Sequence, residues 1–76
     1  METIHLTVEN QVGALERIIT VFTRNRININ HLEVIQQQNN LANVEITYHP
    51  THLTKDKLVL QFYRIIEIKH INSNKL

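Results

Sequence analysis

The sequence predicts an α+β fold of the ferredoxin-like type, in which a four-stranded antiparallel sheet carries two helices on one face. Two observations predict it: the element order β-α-β-β-α-β, and a hairpin that joins the second and third strands. Two interlocked right-handed β-α-β crossovers give this arrangement, with the strands in the order 4-1-3-2. We expect a single domain over residues 1–76, with a core over about 3–71 and a tail over 72–76.

The first half of the chain changes from a strand period to a helix period. The segment "TIHLTV" (3–8) alternates strictly between apolar and polar residues, which is typical of a half-buried strand. After the polar corner "ENQVG", apolar residues recur with helical spacing and predict one buried stripe: Leu15, Ile18, Ile19 and Phe22. Asn25 is expected to end this helix, because Asn tolerates the left-handed conformation of many helix ends.

The second half predicts a hairpin, a helix and a last strand. "INHLEVIQ" (29–36) reads as a strand whose alternation slips near its start, which indicates a bulge. "QQNNL" (37–41) is a polar hairpin loop, and "ANVEITYH" (42–49) is the third strand. A second helix is expected after a Thr54 cap, and "IIEIKHI" (65–71) is the predicted fourth strand. The apolar stripe of the second helix is Leu58, Phe62 and Ile65.

The second and fourth strands are the predicted edges of the sheet, and they differ in protection. The fourth carries Glu67 and Lys69, whereas the segment 27–38 contains no lysine, arginine or proline and only one charged residue, Glu33. An edge without such residues is open to pairing with another chain. We therefore expect a homodimer along the second strand, with a different partner chain as the alternative. The expected edge residues are Ile29, His31, Leu32 and Val34.

The only glycine, Gly13, lies between the polar corner and the first helix. A helix N-terminus presents unpaired N–H groups and a partial positive charge, which suit an anion. Glycine lets a ligand approach the backbone closely, and Asn10 and Asn28 could contribute amide groups to a free amino acid. The alternative is that Gly13 only forms a turn.

Composition disfavours several functional classes. The chain has no cysteine and a formal net charge of +1, so we expect no thiolate metal site and no nucleic-acid partner. Its five histidines lack a metal-binding spacing, and no nucleophile motif or glycine-rich phosphate loop indicates an enzyme or a bound cofactor. No apolar segment approaches the ~20 residues of a membrane span. Without a secretory-signal pattern at its start, the chain is expected to be cytoplasmic.

RNA-recognition domains share the predicted fold and must be weighed. They carry exposed aromatic residues on the sheet and a basic-glycine-aromatic run on the third strand. The third strand here has no glycine and no basic run, and Phe22 and Phe62 lie on the helix stripes. RNA binding is therefore disfavoured.

The segment "VENQVGALERIITVFTRNRININHLEV" resembles the opening of an ACT domain. More specifically, it is similar to the small regulatory subunit of acetohydroxyacid (acetolactate) synthase in its short, single-domain form. The matching positions are Glu9, Asn10, Gly13, Ala14, Leu15, Arg17, Ile18, Phe22, Asn28, Ile29 and Leu32. "QFYRIIEIKHI" (61–71) is similar to the helix end and last strand of that family.

The resemblance implies a non-catalytic regulatory subunit that binds and activates the thiamine-diphosphate-dependent large subunit. It also implies a site for valine, or another branched-chain amino acid, at the dimer interface. The site residues that it implies are Asn10, Gln11, Val12, Gly13, Ala14, Asn28 and Ile29. This chain departs from the family in carrying Asn25-Arg26 where Arg-Gly is usual. The alternative functions are a free-standing ACT domain that senses an amino acid for another enzyme, or a dimerisation module.

Overall fold

The computed structural model describes residues 1–9, 12–36 and 39–72. Its elements are β1 (Glu2–Glu9), α1 (Ala14–Arg24), β2 (Ile29–Gln36), β3 (Leu41–Tyr48), α2 (Lys55–Phe62) and β4 (Ile68–Asn72). The sheet has the order β2-β3-β1-β4, and all neighbouring strands are antiparallel. The predicted α+β ferredoxin-like fold, its strand order and its two edges are confirmed.

The core lies between one face of the sheet and the two helices. In β3 every second residue is buried, from Ala42 to Tyr48, and β1 buries Ile4, Leu6 and Val8 in the same way. All buried residues of the described part of the chain are hydrophobic or aromatic. The opposite face of β1 and β3 is polar and is held by cross-strand hydrogen bonds such as Thr7 Oγ1 to Asn43 Oδ1 at 3.1 Å.

Three aromatic rings join both helices to the sheet. Phe22 of α1 contacts Tyr48 of β3 edge-on, with ring centroids 5.4 Å apart, and Phe62 of α2 with centroids 5.5 Å apart. Each ring is at most 4% exposed. Such pairs contribute about 0.5–1.5 kcal/mol beyond the burial of their area.

The buried face of α1 differs from the predicted stripe. Ile18 and Phe22 are buried as expected, but the other buried residues are Ala14 and Val21. Leu15 and Ile19 are exposed by 36% and 37%. Each follows a buried residue directly, and one residue step rotates a helix by 100°. The apolar surface of α1 is therefore wider than the face that the sheet covers.

Helix α1 ends at Asn25 as predicted, but the conformation of its end differs from the prediction. Asn25 is the C-cap but has φ −94°, and the left-handed residue is Arg26, with φ 57°. The N–H of Arg26 donates to Thr23 O at 3.1 Å and that of Ile27 to Phe22 O at 2.9 Å. These two bonds make a Schellman motif, in which the left-handed position is usually glycine. Arg26 occupies that position here.

The β2–β3 hairpin contains the expected bulge. Ile29 pairs with Tyr48 and His31 with Thr47, so one residue of β2, Asn30, has no partner in the register. In the following turn Asn39 and Asn40 both have positive φ, at 61° and 62°. The predicted loop residues 37 and 38 lie outside the described residues.

The second helix begins as predicted, but the fourth strand begins later. Thr54 Oγ1 accepts a hydrogen bond from Lys57 N at 3.3 Å, and Leu58 and Phe62 are buried. Residues 63–67 form turns instead of the strand start predicted at 65, because Ile65 N donates to Phe62 O and Ile68 N to Ile65 O. Ile65 still packs against the core.

The predicted tail, residues 72–76, begins one residue too early. Asn72 belongs to β4 and pairs with His5, whereas residues 73–76 lie outside the described part of the chain. Neither helix is long and apolar enough to cross a membrane, as judged over the described residues.

We expect the substitution Arg26→Gly to stabilise the protein. The left-handed conformation at φ 57° costs an L-residue free energy that glycine does not pay. The free energy of unfolding should rise by about 0.5–1 kcal/mol in urea unfolding, with an unchanged m value. The matched control is Arg24→Gly within α1, which should lose about 1 kcal/mol. A loss of stability in both variants would contradict this account of the helix end.

We also expect stability to fall steeply above pH 10 because of Tyr48. Burial, and to a smaller extent the charge of Glu2 and a hydrogen bond to it, raise the pKa of Tyr48 from the usual 10.0 to about 12. Between these values the phenol ionises in the unfolded chain but stays neutral in the folded one. The free energy of unfolding should therefore drop by roughly 2 to 3 kcal/mol over this range.

The variant Tyr48→Phe isolates this contribution. It should lose the steep part of the decline between pH 10 and 12, as measured by urea unfolding at each pH. The control is Tyr63→Phe, because Tyr63 is 67% exposed. Equal pH profiles for the two variants would show that other groups cause the decline.

Candidate functional site

Gly13 forms the N-terminus of α1 in a conformation that few L-residues adopt. It is the N-cap residue, with φ 87° and ψ −10°, and its carbonyl accepts the first helical hydrogen bond, from Arg17 N at 3.0 Å. No side chain caps this helix among the described residues. The described side chains therefore leave the first N–H groups of α1 open to a carboxylate, which the helix dipole also favours.

The other residues of the predicted corner have different surroundings. Val12 is fully exposed and Ala14 is buried against the core. Asn10 and Gln11 lie outside the described residues. The described part of the corner thus offers an exposed apolar side chain, a bare glycine and uncapped backbone donors.

Beside the corner, an ion pair joins α1 to the turn that precedes β4. Arg17 Nη1 donates to Glu67 Oε2 at 2.9 Å, and the Glu67 side chain is only 13% exposed. The backbone carbonyl of Glu67 also accepts a hydrogen bond from Glu9 N at 2.7 Å. The prediction that Glu67 is an edge charge of the fourth strand is wrong, because Glu67 precedes β4 and pairs with α1.

Arg17 brings a positive charge directly to Gly13. A Cβ on Gly13 would lie 3.6 Å from Arg17 Nη1, which is ordinary van der Waals contact. The guanidinium therefore adds to the positive end of α1, while Glu67 offsets part of its charge. No sequence pattern predicts this pair, because the two residues are 50 positions apart and nothing local links them.

Asn28 and Ile29 lie at the opposite end of the sheet from Gly13. Ile29 is in register with Tyr48, which pairs with Glu2 at the start of β1. The corner follows Glu9 at the end of β1, seven residue steps away, or about 23 Å along the strand. Within one chain the structure does not bring the two halves of the predicted site together.

The exposed edge of the sheet is apolar on one face. Along β2, Val34 is 45% exposed and Leu32 is half-buried on the helix side. On the opposite face His31 and Glu33 are exposed and lie 3.6 Å apart, Nε2 to Oε1. The predicted edge residue Ile29 is half-buried against the core.

Leu15 and Ile19 extend this apolar edge onto α1. Helical spacing puts them on the flank opposite Arg17 and Arg24, which line the groove beside α2. Because α1 leads to β2 and α2 leads to β4, the flank away from α2 is the β2 side.

No group of three metal-binding side chains occurs within residues 1–9, 12–36 and 39–72.

Known structures share this fold. The small subunit of acetolactate synthase from Thermotoga maritima superposes with a TM-score of 0.81 at 19% identity, over 93% of this chain and 45% of that one. A formyltetrahydrofolate deformylase from Burkholderia mallei gives 0.74 at 21% identity, over 93% and 27%. The ACT domain of GTP pyrophosphokinase from Chlorobium tepidum gives 0.68 at 14% identity, over 93% and 92%.

The chain spans less than half the length of the Thermotoga maritima subunit. No curated protein sequence matches it. A family model does match, over residues 4–68, and its description is an AHAS small subunit-like ACT domain, where AHAS is acetohydroxyacid synthase. The match includes most of β1, the Gly13 corner, both helices and the β2–β3 hairpin. The chain therefore belongs to the AHAS small subunit-like ACT domains, which are regulatory and not catalytic modules.

Proposed function

We propose that this protein is a cytoplasmic regulatory subunit that binds and activates the thiamine-diphosphate-dependent large subunit of acetolactate synthase, in branched-chain amino acid biosynthesis. We further propose that it binds valine, or another branched-chain amino acid, for feedback control. The family match over residues 4–68 carries the first proposal. The start of α1 at Gly13, which no described side chain caps, supports the second.

The register of the sheet supports a site shared between two chains. Gln36 at the end of β2 is in line with Ala42 and Val8, so this end of β2 lies on the side of the Gly13 corner. If two β2 edges pair antiparallel about a two-fold axis, the start of one β2 meets the end of the other. Asn28 and Ile29 of one protomer then approach the corner of its partner.

The chemistry of such a shared site suits a small apolar amino acid. The first N–H groups of α1, which no described side chain caps, would bind the carboxylate, with the Arg17 charge nearby. The side-chain carbonyls of Asn28 and Asn10 would accept hydrogen bonds from the ammonium. The exposed apolar side chains of Leu15 and Ile19 lie on the same side as the edge and would contact the aliphatic part of the ligand.

The deciding experiment measures acetolactate formation by the cognate large subunit. We expect the rate to rise when this chain is added, and the added activity to fall when valine is titrated in. Stimulation without valine sensitivity would support the subunit role and contradict the effector site. An absence of stimulation would favour the alternative, a free-standing ACT domain that senses an amino acid for another enzyme.

The substitution Gly13→Asp should abolish the valine response and preserve activation. It places a carboxylate where the ligand carboxylate would bind. At φ 87° any side chain is strained, so part of its effect comes from lower stability. Gly13→Asn is the matched control, because it carries the same strain without the charge. Isothermal titration should show valine binding that is weaker in the Asp variant than in the Asn variant by about tenfold or more.

We expect the substitution Val34→Lys to dissociate the proposed homodimer. It puts a positive charge on the apolar face of the β2 edge, and the two-fold axis brings two such charges together. Light scattering at 50 µM should give twice the chain mass of 9.0 kDa for the wild type. For the variant it should give the mass of one chain. The dimer dissociation constant should rise by about 100-fold.

The control for this substitution is Ile66→Lys. Ile66 is 82% exposed in the turns before β4, on the far side of the sheet from β2. This variant should remain dimeric. A wild-type protein that is monomeric at 50 µM, or a Val34→Lys variant that stays dimeric, would contradict pairing through β2.

A further inference from the structure

A groove of about 740 Å³ lies between α1 and α2 on the outer side of the helix layer. Its apolar surface includes Val21, which is buried, and Ile65, which is half-buried. Its polar lining includes three arginines, Arg17, Arg24 and Arg64. Clefts of roughly 300–1,000 Å³ with an apolar floor and a few polar groups are typical of small-ligand sites.

A pair of side-chain amides fixes the width of this groove. Asn25 Nδ2 donates to Gln61 Oε1 at 2.9 Å, and Gln61 Nε2 donates back to Asn25 Oδ1 at 3.3 Å. Asn25 Nδ2 also donates to Val21 O at 2.7 Å, which uses both of its hydrogens. The amides therefore tie the end of α1 to α2 beside the groove.

The groove has more positive than negative charge. Arg17 is paired with Glu67, but Arg24 and Arg64 make no ion pair with any residue in the described ranges. The whole chain has a formal net charge of only +1. Two unpaired guanidinium groups in one concave surface therefore concentrate positive charge well beyond the average of the molecule.

The helix dipole explains only part of this arrangement. Arg24 lies in the last turn of α1, where a cation interacts favourably with the carbonyl end of the helix. The favourable interaction of Arg24 with the end of α1 does not explain why a second arginine, from the end of α2, lines the same groove. Arg64 comes from the turn after α2 and lines the same groove.

We propose that this groove binds a small phosphate-type anion with two or more negative charges. Guanidinium groups pair with phosphate in bidentate geometry, and the several oxygens of a phosphate can meet more than one arginine at once. The apolar floor would contact the rest of such a ligand. The site shares Arg17 with the Gly13 corner but rests on Arg24 and Arg64, and it does not depend on the proposed regulatory function.

The test is an NMR titration of the ¹⁵N-labelled protein with inorganic pyrophosphate at pH 7 and 150 mM salt, where long-range attraction is screened. We expect saturable shifts of the amides of Arg24, Asn25, Gln61 and Arg64. Arg24→Gln and Arg64→Gln should each weaken binding about tenfold, as expected for the loss of a charge-assisted hydrogen bond. The control is Lys57→Gln, which removes the same charge from an exposed site on α2 outside the groove and should change binding less than twofold.

Several outcomes would overturn the proposal. Shifts that do not saturate by 10 mM, or an equal loss in the Lys57→Gln variant, would show general surface electrostatics. Shifts centred on residues 12–15 would assign the anion to the corner. Tighter binding of a polyglutamate peptide than of pyrophosphate would assign the groove to an acidic protein partner. Thermal unfolding of each variant separates loss of binding from loss of fold.

Discussion

The packing of Phe22 is the contact on which the rest of the structure depends. Its ring joins Tyr48 of the central strand β3 and Phe62 of α2, so one side chain connects both helices to the sheet. Its backbone carbonyl accepts the hydrogen bond from Ile27 that ends α1. Since Ile27 is also buried, the same residue sets the position of α1 over the sheet and directs the chain into β2.

This one-sided layering determines which surfaces are left for function. The helices cover one face of the sheet, so the β2 edge and the start of α1 stay exposed. The sheet register places Asn28 and Ile29 about 23 Å from the Gly13 corner along the strand direction. A ligand that contacts both groups therefore requires a second chain. The proposed dimer and the proposed effector site are therefore linked, because antiparallel pairing of β2 would bring the two halves together.

The sequence predicted the elements that depend on local periodicity and missed those that depend on distant contacts. Alternation in 3–8 and 42–49 located two strands, and a slip in 29–36 located the bulge. The predicted buried stripe of α1 is rotated from the observed one, since it contained the exposed Leu15 and Ile19 in place of buried residues. The apolar surface of α1 is wide, and the sequence does not show which part of it the sheet covers. The Arg17–Glu67 pair and the Asn25–Gln61 amide pair join residues 50 and 36 positions apart, and no local pattern reports them.

The position of the single glycine follows from backbone geometry. Three other described residues have positive φ, namely Arg26, Asn39 and Asn40, and their values of 57°, 61° and 62° lie within the narrow left-handed region open to L-residues. Gly13 has φ 87°, outside that region. Steric room does not distinguish it, because a Cβ there would only touch Arg17 at 3.6 Å. The start of α1 is therefore where the backbone demands glycine, and no described side chain caps its N–H groups.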